Sequence, residues 1–235
     1  MQLFFNQHIT TETSQIQFSK EESRHIVRVL RKKEGDILYI TNGEGFLFTS
    51  EIIIASDKKC IAKVVTIEEK PNHRNYYLHI VIAPTKNNDR LEWFLEKATE
   101  IGIDEITPII CKNSERKVVK TERLSKIIQS AMKQSLQFTL PKLNEPIKFS
   151  DFIKKEDNSS LFIAHCEDSE KITLKNSASK NTNYTILIGP EGDFSSTEIE
   201  QALTKGYQPI SLGNTRLRTE TAGLVAVQNI AFINE

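Results

Sequence analysis

The stretch Tyr184-Thr-Ile-Leu-Ile-Gly-Pro-Glu-Gly-Asp-Phe-Ser-Ser-Thr-Glu198 decides the fold, because it joins an apolar strand, a glycine loop and the start of a helix. The apolar run at 184–188 predicts a buried strand. Ser195 and Glu198 have the spacing of a capping box, which predicts a helix over 195–205 that ends at Gly206. This unit is typical of an α/β domain with a largely parallel sheet, whose ligands bind beyond the carboxyl ends of the strands.

The chain around this stretch has the same alternating pattern from residue 77 onward. Apolar runs and helical periodicity predict strands and helices in turn, and the polar stretch 168–183 predicts a surface loop. The last predicted helix is apolar on nearly every side, so we expect it to be buried in its domain or against another subunit. The predicted strands cover 77–83, 105–110, 160–165, 184–188 and 208–212, and the predicted helices cover 89–101, 122–136, 195–205 and 219–233.

The first seventy residues have a different pattern, with short strands at 37–41, 46–55 and 60–67. One helix, predicted over 21–30, interrupts them. Short strands with a single helix predict a compact barrel, and the charged, proline-containing segment that follows predicts a linker. We therefore expect a small β-rich domain over 1–70, a linker over 71–75 and the α/β domain over 76–235.

Composition narrows the possible functions. The chain has 235 residues, and its 31 basic and 31 acidic side chains give zero formal net charge, which excludes a protein that holds nucleic acid by bulk charge. No apolar run reaches the ~18 residues of a membrane helix, and the start has no secretory pattern, so we expect no membrane association. Three scattered cysteines without Cys-x-x-Cys favour the cytoplasm. The five histidines lack metal-ligand spacing, so no metal is expected.

Positive charge is nevertheless concentrated locally. Residues 111–133 contain seven basic side chains and two acidic ones. Arg24, Arg28 and Arg31 have helical spacing that predicts one shared face, opposite Ile26 and Val29. Such a surface could follow an RNA phosphate backbone, although charged runs are also the ordinary solvated faces of helices.

A second glycine-bearing loop, Leu212-Gly-Asn-Thr-Arg-Leu-Arg-Thr-Glu-Thr-Ala-Gly223, leads into the apolar last helix. Arg218 and Glu220 lie at the start of that apolar helix, where charges are costly unless they are paired or used in chemistry. A first-turn glutamate that interacts with the helix dipole and pairs with an arginine is an equally good explanation. His165, at the end of a predicted strand, is interpreted as a packing residue. Phosphate-binding, dinucleotide-binding and nucleophile-elbow motifs are absent.

Both loops, with Lys86-Asn-Asn-Asp-Arg-Leu-Glu-Trp-Phe-Leu-Glu-Lys-Ala-Thr-Glu-Ile-Gly102, strongly resemble the signatures of the ribosomal RNA small subunit methyltransferase E family. This family belongs to the SPOUT, or α/β-knot, superfamily, and the resemblance covers essentially the whole chain. Two positions depart from the pattern. Asp193 stands where the family often has glycine, and Ser135 is not followed by the basic residue that is often found there.

The resemblance implies a specific fold and activity. The expected fold is α/β, with a C-terminal trefoil-knot SPOUT domain and a small N-terminal PUA-like RNA-binding β-barrel. The expected partners are a second copy of the chain and 16S rRNA, within the small ribosomal subunit. S-adenosylmethionine would donate a methyl group to N3 of a uridine. The cofactor-binding residues carried over by motif are Ile188, Gly189, Pro190, Glu191, Gly192, Leu212, Gly213, Asn214, Leu217, Arg218, Thr221 and Ala222.

Roles for the charged residues follow from the chemistry that the resemblance implies. Arg218 would stabilise negative charge on the uracil or orient the base, and Glu220 would fix Arg218 or assist proton removal. The residues expected to contact RNA are Arg24, Arg28, Arg31, Arg116, Lys117 and Arg216. Two alternatives stay open: a related enzyme that modifies transfer RNA or a ribose 2′-hydroxyl, and a non-catalytic ribosome-assembly factor that binds RNA.

Overall fold

The computed structural model describes residues 1–235, and the chain forms two compact units. The first unit contains Met1–His73 and a later segment, Met132–Leu140. The second contains Arg74–Ala131 and Pro141–Glu235. The first unit therefore includes residues from the middle of the chain, which a division at a single linker does not anticipate.

The first unit is built on a five-stranded sheet in the order β1-β3-β4-β5-β2. The strand β1 pairs with β3 in parallel, and the other neighbours are antiparallel. Buried side chains on one side of the sheet, such as Ile40, Phe48 and Ile52, form its core. The strands are β1 (Leu3–Phe5), β2 (Gln15–Gln17), β3 (Ile37–Thr41), β4 (Phe46–Ala55) and β5 (Cys60–Glu69).

The helix predicted over 21–30 is wrong in its second half. A short α-helix, α1 (Lys20–Arg24), is capped by Ser19 and continues into a π-helical turn, His25–Val29. A π-turn has more residues per turn than an α-helix, so the 3.6-residue spacing no longer places side chains on one face. Val29 is accordingly 64% exposed. Arg31 follows the helix in a left-handed conformation with φ +56°, so the predicted shared arginine face does not form.

Met132–Leu140 completes the first unit through backbone pairing. The amide of Gly45 donates to the Phe138 carbonyl at 2.9 Å, and the Leu140 amide donates to the Gly43 carbonyl at 2.8 Å. The Thr41 hydroxyl also donates to the Phe138 carbonyl, at 3.1 Å. The glycine-rich turn at 42–45 thus binds a distant part of the chain as well as joining two strands.

The second unit confirms the predicted parallel sheet. Its main path runs β11-β13-β10-β12-β6-β7-β8, and β9 also pairs with β7. Every pair is parallel, so the carboxyl ends of all these strands lie at one edge. The strands are β6 (Leu78–Ile82), β7 (Glu105–Ile110), β8 (Lys142–Leu143), β9 (Ile147–Lys148), β10 (Ser160–Ala164), β11 (Ile172–Thr173), β12 (Tyr184–Ile188) and β13 (Gln208–Ser211).

The longer helices of this unit lie close to the predicted positions, and two short helices, at Phe149–Phe152 and Leu174–Ser177, are additions to the prediction. The region predicted as a surface loop, 168–183, contains β11 and a short helix that is held by the fully buried side chain of Leu174. A single apolar residue gives no periodic signal, so the pattern does not show this element. The helices are α2 (Asn88–Ile101), α3 (Thr121–Gln134), α4 (Phe149–Phe152), α5 (Leu174–Ser177), α6 (Ser196–Thr204) and α7 (Thr219–Asn234).

The apolar last helix, α7, packs closely against α2 and β6. Ala226, Val227 and Ile230 are fully buried, whereas Phe232 is 63% exposed. Burial within the unit therefore accounts for one side of α7. No helix in residues 1–235 combines the length and apolar character needed to cross a membrane.

Candidate active site

The candidate site lies where three neighbouring strands end. Because β13, β10 and β12 are adjacent and parallel, the segments that follow them, 212–218, 165–171 and 189–195, meet at one edge of the sheet. This edge is where open α/β sheets bind ligands. Two cavities of about 290 and 510 Å³ lie among these segments. Ala164, Cys166, Arg216, Leu217 and Ala222 line both of them, so the cavities adjoin.

All but two of the predicted cofactor-binding residues line these cavities. Gly192 and Thr221 line neither. The first cavity contains Ile188, Gly189, Pro190, Glu191, Leu217, Arg218 and Ala222 from the predicted set. The second contains Leu212, Gly213, Asn214, Leu217 and Ala222.

The loop at 189–195 is shaped by close contacts. A Cβ on Gly189 would lie 3.0 Å from the Phe194 ring, so only glycine fits this turn without displacing the ring. The Thr219 hydroxyl donates to the Gly189 carbonyl at 3.0 Å, which ties this loop to the start of α7. The capping box of Ser195 and Glu198 is formed, as the sequence predicts.

Glu191 carries a polar atom that lacks a hydrogen-bond partner within the protein. Its Oε1 accepts from the Lys86 amide at 2.9 Å, whereas its Oε2 is buried and unpartnered. Buried polar atoms are normally paired, so an unpaired oxygen beside a cavity indicates a place where a ligand could supply the partner.

Arg218 and Glu220 do not form the expected pair. Arg218 is the N-cap residue of α7, is exposed at the first cavity and makes no ion pair. Glu220 is buried, lines neither cavity, and lies 3.8 Å from the Arg90 guanidinium. The structure thus matches the alternative in which a first-turn glutamate pairs with an arginine, although that arginine comes from α2.

Sequence reasoning did not assign some of the residues that line the cavities to the site. Cys166 and Asp193 line the first cavity, and His165 lines the second. Both ring nitrogens of His165 are buried without a hydrogen-bond partner. Burial lowers the pKa of His165, and the positive charge of Lys171 lowers it further. His165 is the last residue of a predicted strand and Cys166 directly follows it, and this position is the signal that could have found them.

The predicted RNA-contacting residues differ in their exposure and in the partners of their side chains. In the first, Arg24 is exposed and unpaired, whereas Arg28 is bound to Asp57 at 2.7 Å. That hydrogen bond holds the pKa of Asp57 below its ordinary value.

In the second unit, Arg116 is half-buried and donates to the carbonyls of Thr85 and Lys86 at 3.2 and 2.8 Å. This use of its guanidinium differs from the phosphate contact that we expected. Lys117 is exposed, and the exposed Arg216 lines both cavities.

Two family profiles match the chain. The RNA methyltransferase domain profile matches residues 72–231, and the RNA methyltransferase PUA domain profile matches residues 18–65. Among curated proteins, the ribosomal RNA small subunit methyltransferase E of Rickettsia conorii is 32% identical over 225 residues, covering 94% of this chain and 91% of the relative. The protein of the same name from Bacillus subtilis is 29% identical and covers 92% and 89%.

Solved structures agree with these matches. An rRNA methyltransferase from Porphyromonas gingivalis has a TM-score of 0.93 and 40% identity, covering 100% of this chain and 98% of the other. A methyltransferase from Legionella pneumophila, solved with bound S-adenosylmethionine, has a TM-score of 0.86 and 27% identity, covering 99% and 97%. The profile over most of the chain and the full-length relatives together place this chain in the ribosomal RNA small subunit methyltransferase E family.

Proposed function

We propose that this protein transfers a methyl group from S-adenosylmethionine to N3 of a specific uridine in 16S rRNA. The observation that carries the proposal is the pair of adjoining cavities at the carboxyl ends of β10, β12 and β13, lined by ten of the twelve residues predicted from the family motifs. The family relatives and the cofactor-bound Legionella structure support the same reaction.

The residues present fit the methyl donor. Cavities of about 290 and 510 Å³ lie in the size range of small-molecule sites, which combine apolar walls with a few polar groups. Ile188, Leu217 and Ala222 supply apolar wall, and the unpaired oxygen of Glu191 offers a hydrogen-bond acceptor. Close approach of backbone at Gly189 and Gly213 would hold the adenosyl part.

S-adenosylmethionine supplies a methyl group that its positively charged sulfur already activates. The chain must therefore bind and orient the donor and a uracil that is out of its base pair, so that N3 faces the methyl carbon. Arg218, exposed at the first cavity, is placed to stabilise negative charge on the uracil carbonyls. Glu220 lies against Arg90 outside both cavities, and its second carboxylate oxygen is buried without a partner, so its position supports contact with Arg90 more than contact with the uracil.

The proposal also includes the fold of each domain, the oligomeric state and the place where the RNA is modified. We infer a PUA-like barrel over 1–70, a linker over 71–75 and a trefoil-knotted SPOUT domain over 76–235, supported by the family and its PUA profile. The exposed Phe232 on the apolar α7 favours a homodimer. Substrate RNA would be met in the small ribosomal subunit, in the cytoplasm.

The reaction is tested by nucleoside analysis of small-subunit RNA from cells that lack the gene, with and without its restoration. We expect 3-methyluridine to disappear and then to return. Loss of a methylated transfer-RNA nucleoside or of a 2′-O-methyl nucleoside would instead support the related-enzyme alternative. An unchanged nucleoside profile, with no binding of S-adenosylmethionine by calorimetry, would support a non-catalytic assembly factor.

The free guanidinium of Arg24 allows a second prediction. Replacing Arg24 by alanine should weaken binding of 16S rRNA and reduce the slope of log K against log salt by about 0.7–0.9, because one phosphate contact is lost. Arg28→Ala is the matched control, since Asp57 already engages that guanidinium, and it should change the slope less. Binding titrations over a range of salt measure both. Equal slopes in wild type and R24A would make Arg24 an ordinary solvated residue.

A further inference from the structure

Asp193 lies in the glycine loop with its carboxylate fixed in place. Its φ of +63° is a left-handed conformation that is unfavourable for most side chains. Its Oδ2 accepts from the Cys166 amide at 2.7 Å, and its Oδ1 accepts from its neighbour, the Phe194 amide, at 2.8 Å. The Asn113 side chain donates to the carbonyls of Gly192 and Asp193, each at 3.1 Å. The half-buried carboxylate is therefore preorganised.

Asp193 is one of the residues that line the first cavity, beside Cys166, which lines both cavities. The other charged residues of that cavity are differently disposed. Arg216 and Arg218 are exposed. Glu191 is bound by the Lys86 amide through one oxygen, and its other oxygen is buried. Asp193 is thus the carboxylate of this cavity whose two oxygens are both held by backbone amides.

We propose that Asp193 is a specificity-determining residue that favours the positively charged methyl donor over its neutral thioether product. This inference rests on the proposed function. S-adenosylmethionine has one more positive charge than S-adenosylhomocysteine, and the two otherwise differ only by the methyl group. A fixed negative charge attracts the donor without any reorganisation of the site. Methyl transfer removes the charge from sulfur, so the same carboxylate holds the product less tightly and favours its release.

The test compares the affinities of the full-length protein for the two compounds by calorimetry. Asp193→Asn removes the charge at nearly constant volume, and asparagine tolerates a left-handed conformation. We expect the Kd for S-adenosylmethionine to rise about tenfold, which corresponds to about 1.4 kcal/mol. The Kd for S-adenosylhomocysteine should change by less than about threefold, because its sulfur is neutral.

Two further variants serve as controls for this comparison of affinities. Asp193→Gly also removes the charge and accepts the left-handed backbone readily, so the same selective loss should appear even if an asparagine amide disturbs the loop. Glu200→Gln removes a charge from an exposed position on α6 and should leave the ratio of the two affinities unchanged.

Each outcome decides the inference. A selective loss of donor affinity in both Asp193 variants supports it. An equal loss for both compounds would show that Asp193 only holds its loop against the segment that follows β10. Unchanged affinities would show that Asp193 has no role in binding. Either result overturns the inference while leaving the proposed function intact. If the wild-type protein binds neither compound, the proposed function itself fails.

Discussion

Replacing Arg218 by alanine is expected to slow methylation of 16S rRNA by about 10²–10³-fold, the usual effect of removing one group that stabilises charge in a transition state. Arg218 is exposed at the first cavity and makes no ion pair, so no acidic side chain of the protein neutralises its charge. In the proposed reaction, removal of the N3 proton leaves negative charge shared between N3 and the uracil carbonyls until N3 attacks the methyl carbon, and a planar donor can bind those oxygens. Single-turnover rates at saturating donor and RNA measure the effect.

The neighbouring Arg216 provides the control for Arg218. It is exposed on the same loop and lines both cavities, so Arg216→Ala should raise the KM for RNA and change kcat little. Arg218→Lys keeps the charge but loses the forked donor geometry, and we expect an intermediate rate. A single-turnover rate for R218A within a few-fold of wild type would rule out the role in charge stabilisation.

Replacing Gly223 by alanine is expected to lower the free energy of unfolding by about 1–3 kcal/mol, the usual cost of overpacking a core. A Cβ at this position would lie 2.7 Å from the Phe94 ring and 2.9 Å from the Ile82 side chain, and both neighbours are fully buried. At a helix position with free space around it, the same change would raise the free energy of unfolding by about 1 kcal/mol. A decrease therefore identifies the clash. Denaturant titration gives the free energy, and the Tm should fall by roughly 2–4 °C per kcal/mol.

The double variant Gly223→Ala, Phe94→Leu separates this clash from other effects. Leucine is smaller than phenylalanine, so the added methyl group should cost less in its presence than in the wild-type background. Additive losses would show that Phe94 is not the obstacle. Stabilisation by Gly223→Ala alone would show that α7 can shift to accommodate the methyl group.

The sequence predicts local structure well where periodicity is strong. The strand at 184–188 and the capping box at Ser195 are found, because each depends on residues close in sequence. The parallel sheet is also found, because alternating strands and helices are typical of it. The loops at 189–195 and 212–218 could also be placed at the same edge, since the carboxyl ends of all strands of a parallel sheet share one edge.

Partners that are distant in the chain could not be predicted in this way. Arg116 donates to carbonyls some thirty residues earlier, and Glu220 lies against Arg90 rather than Arg218. Such partners depend on how helices and loops pack, which residue type and spacing do not specify. The π-helical turn at His25–Val29 has more residues per turn than an α-helix, but a short apolar pattern cannot distinguish the two.

The pairing of Met132–Leu140 with the turn at 42–45 has a consequence for biosynthesis. A nascent chain that has emerged only as far as His73 lacks the residues that bind the backbone of Gly43 and Gly45. At roughly 5–20 residues per second, translation takes several more seconds to supply them. During that interval the N-terminal sheet has unpaired backbone groups at this turn, so its assembly is completed only when the middle of the polypeptide has left the ribosome.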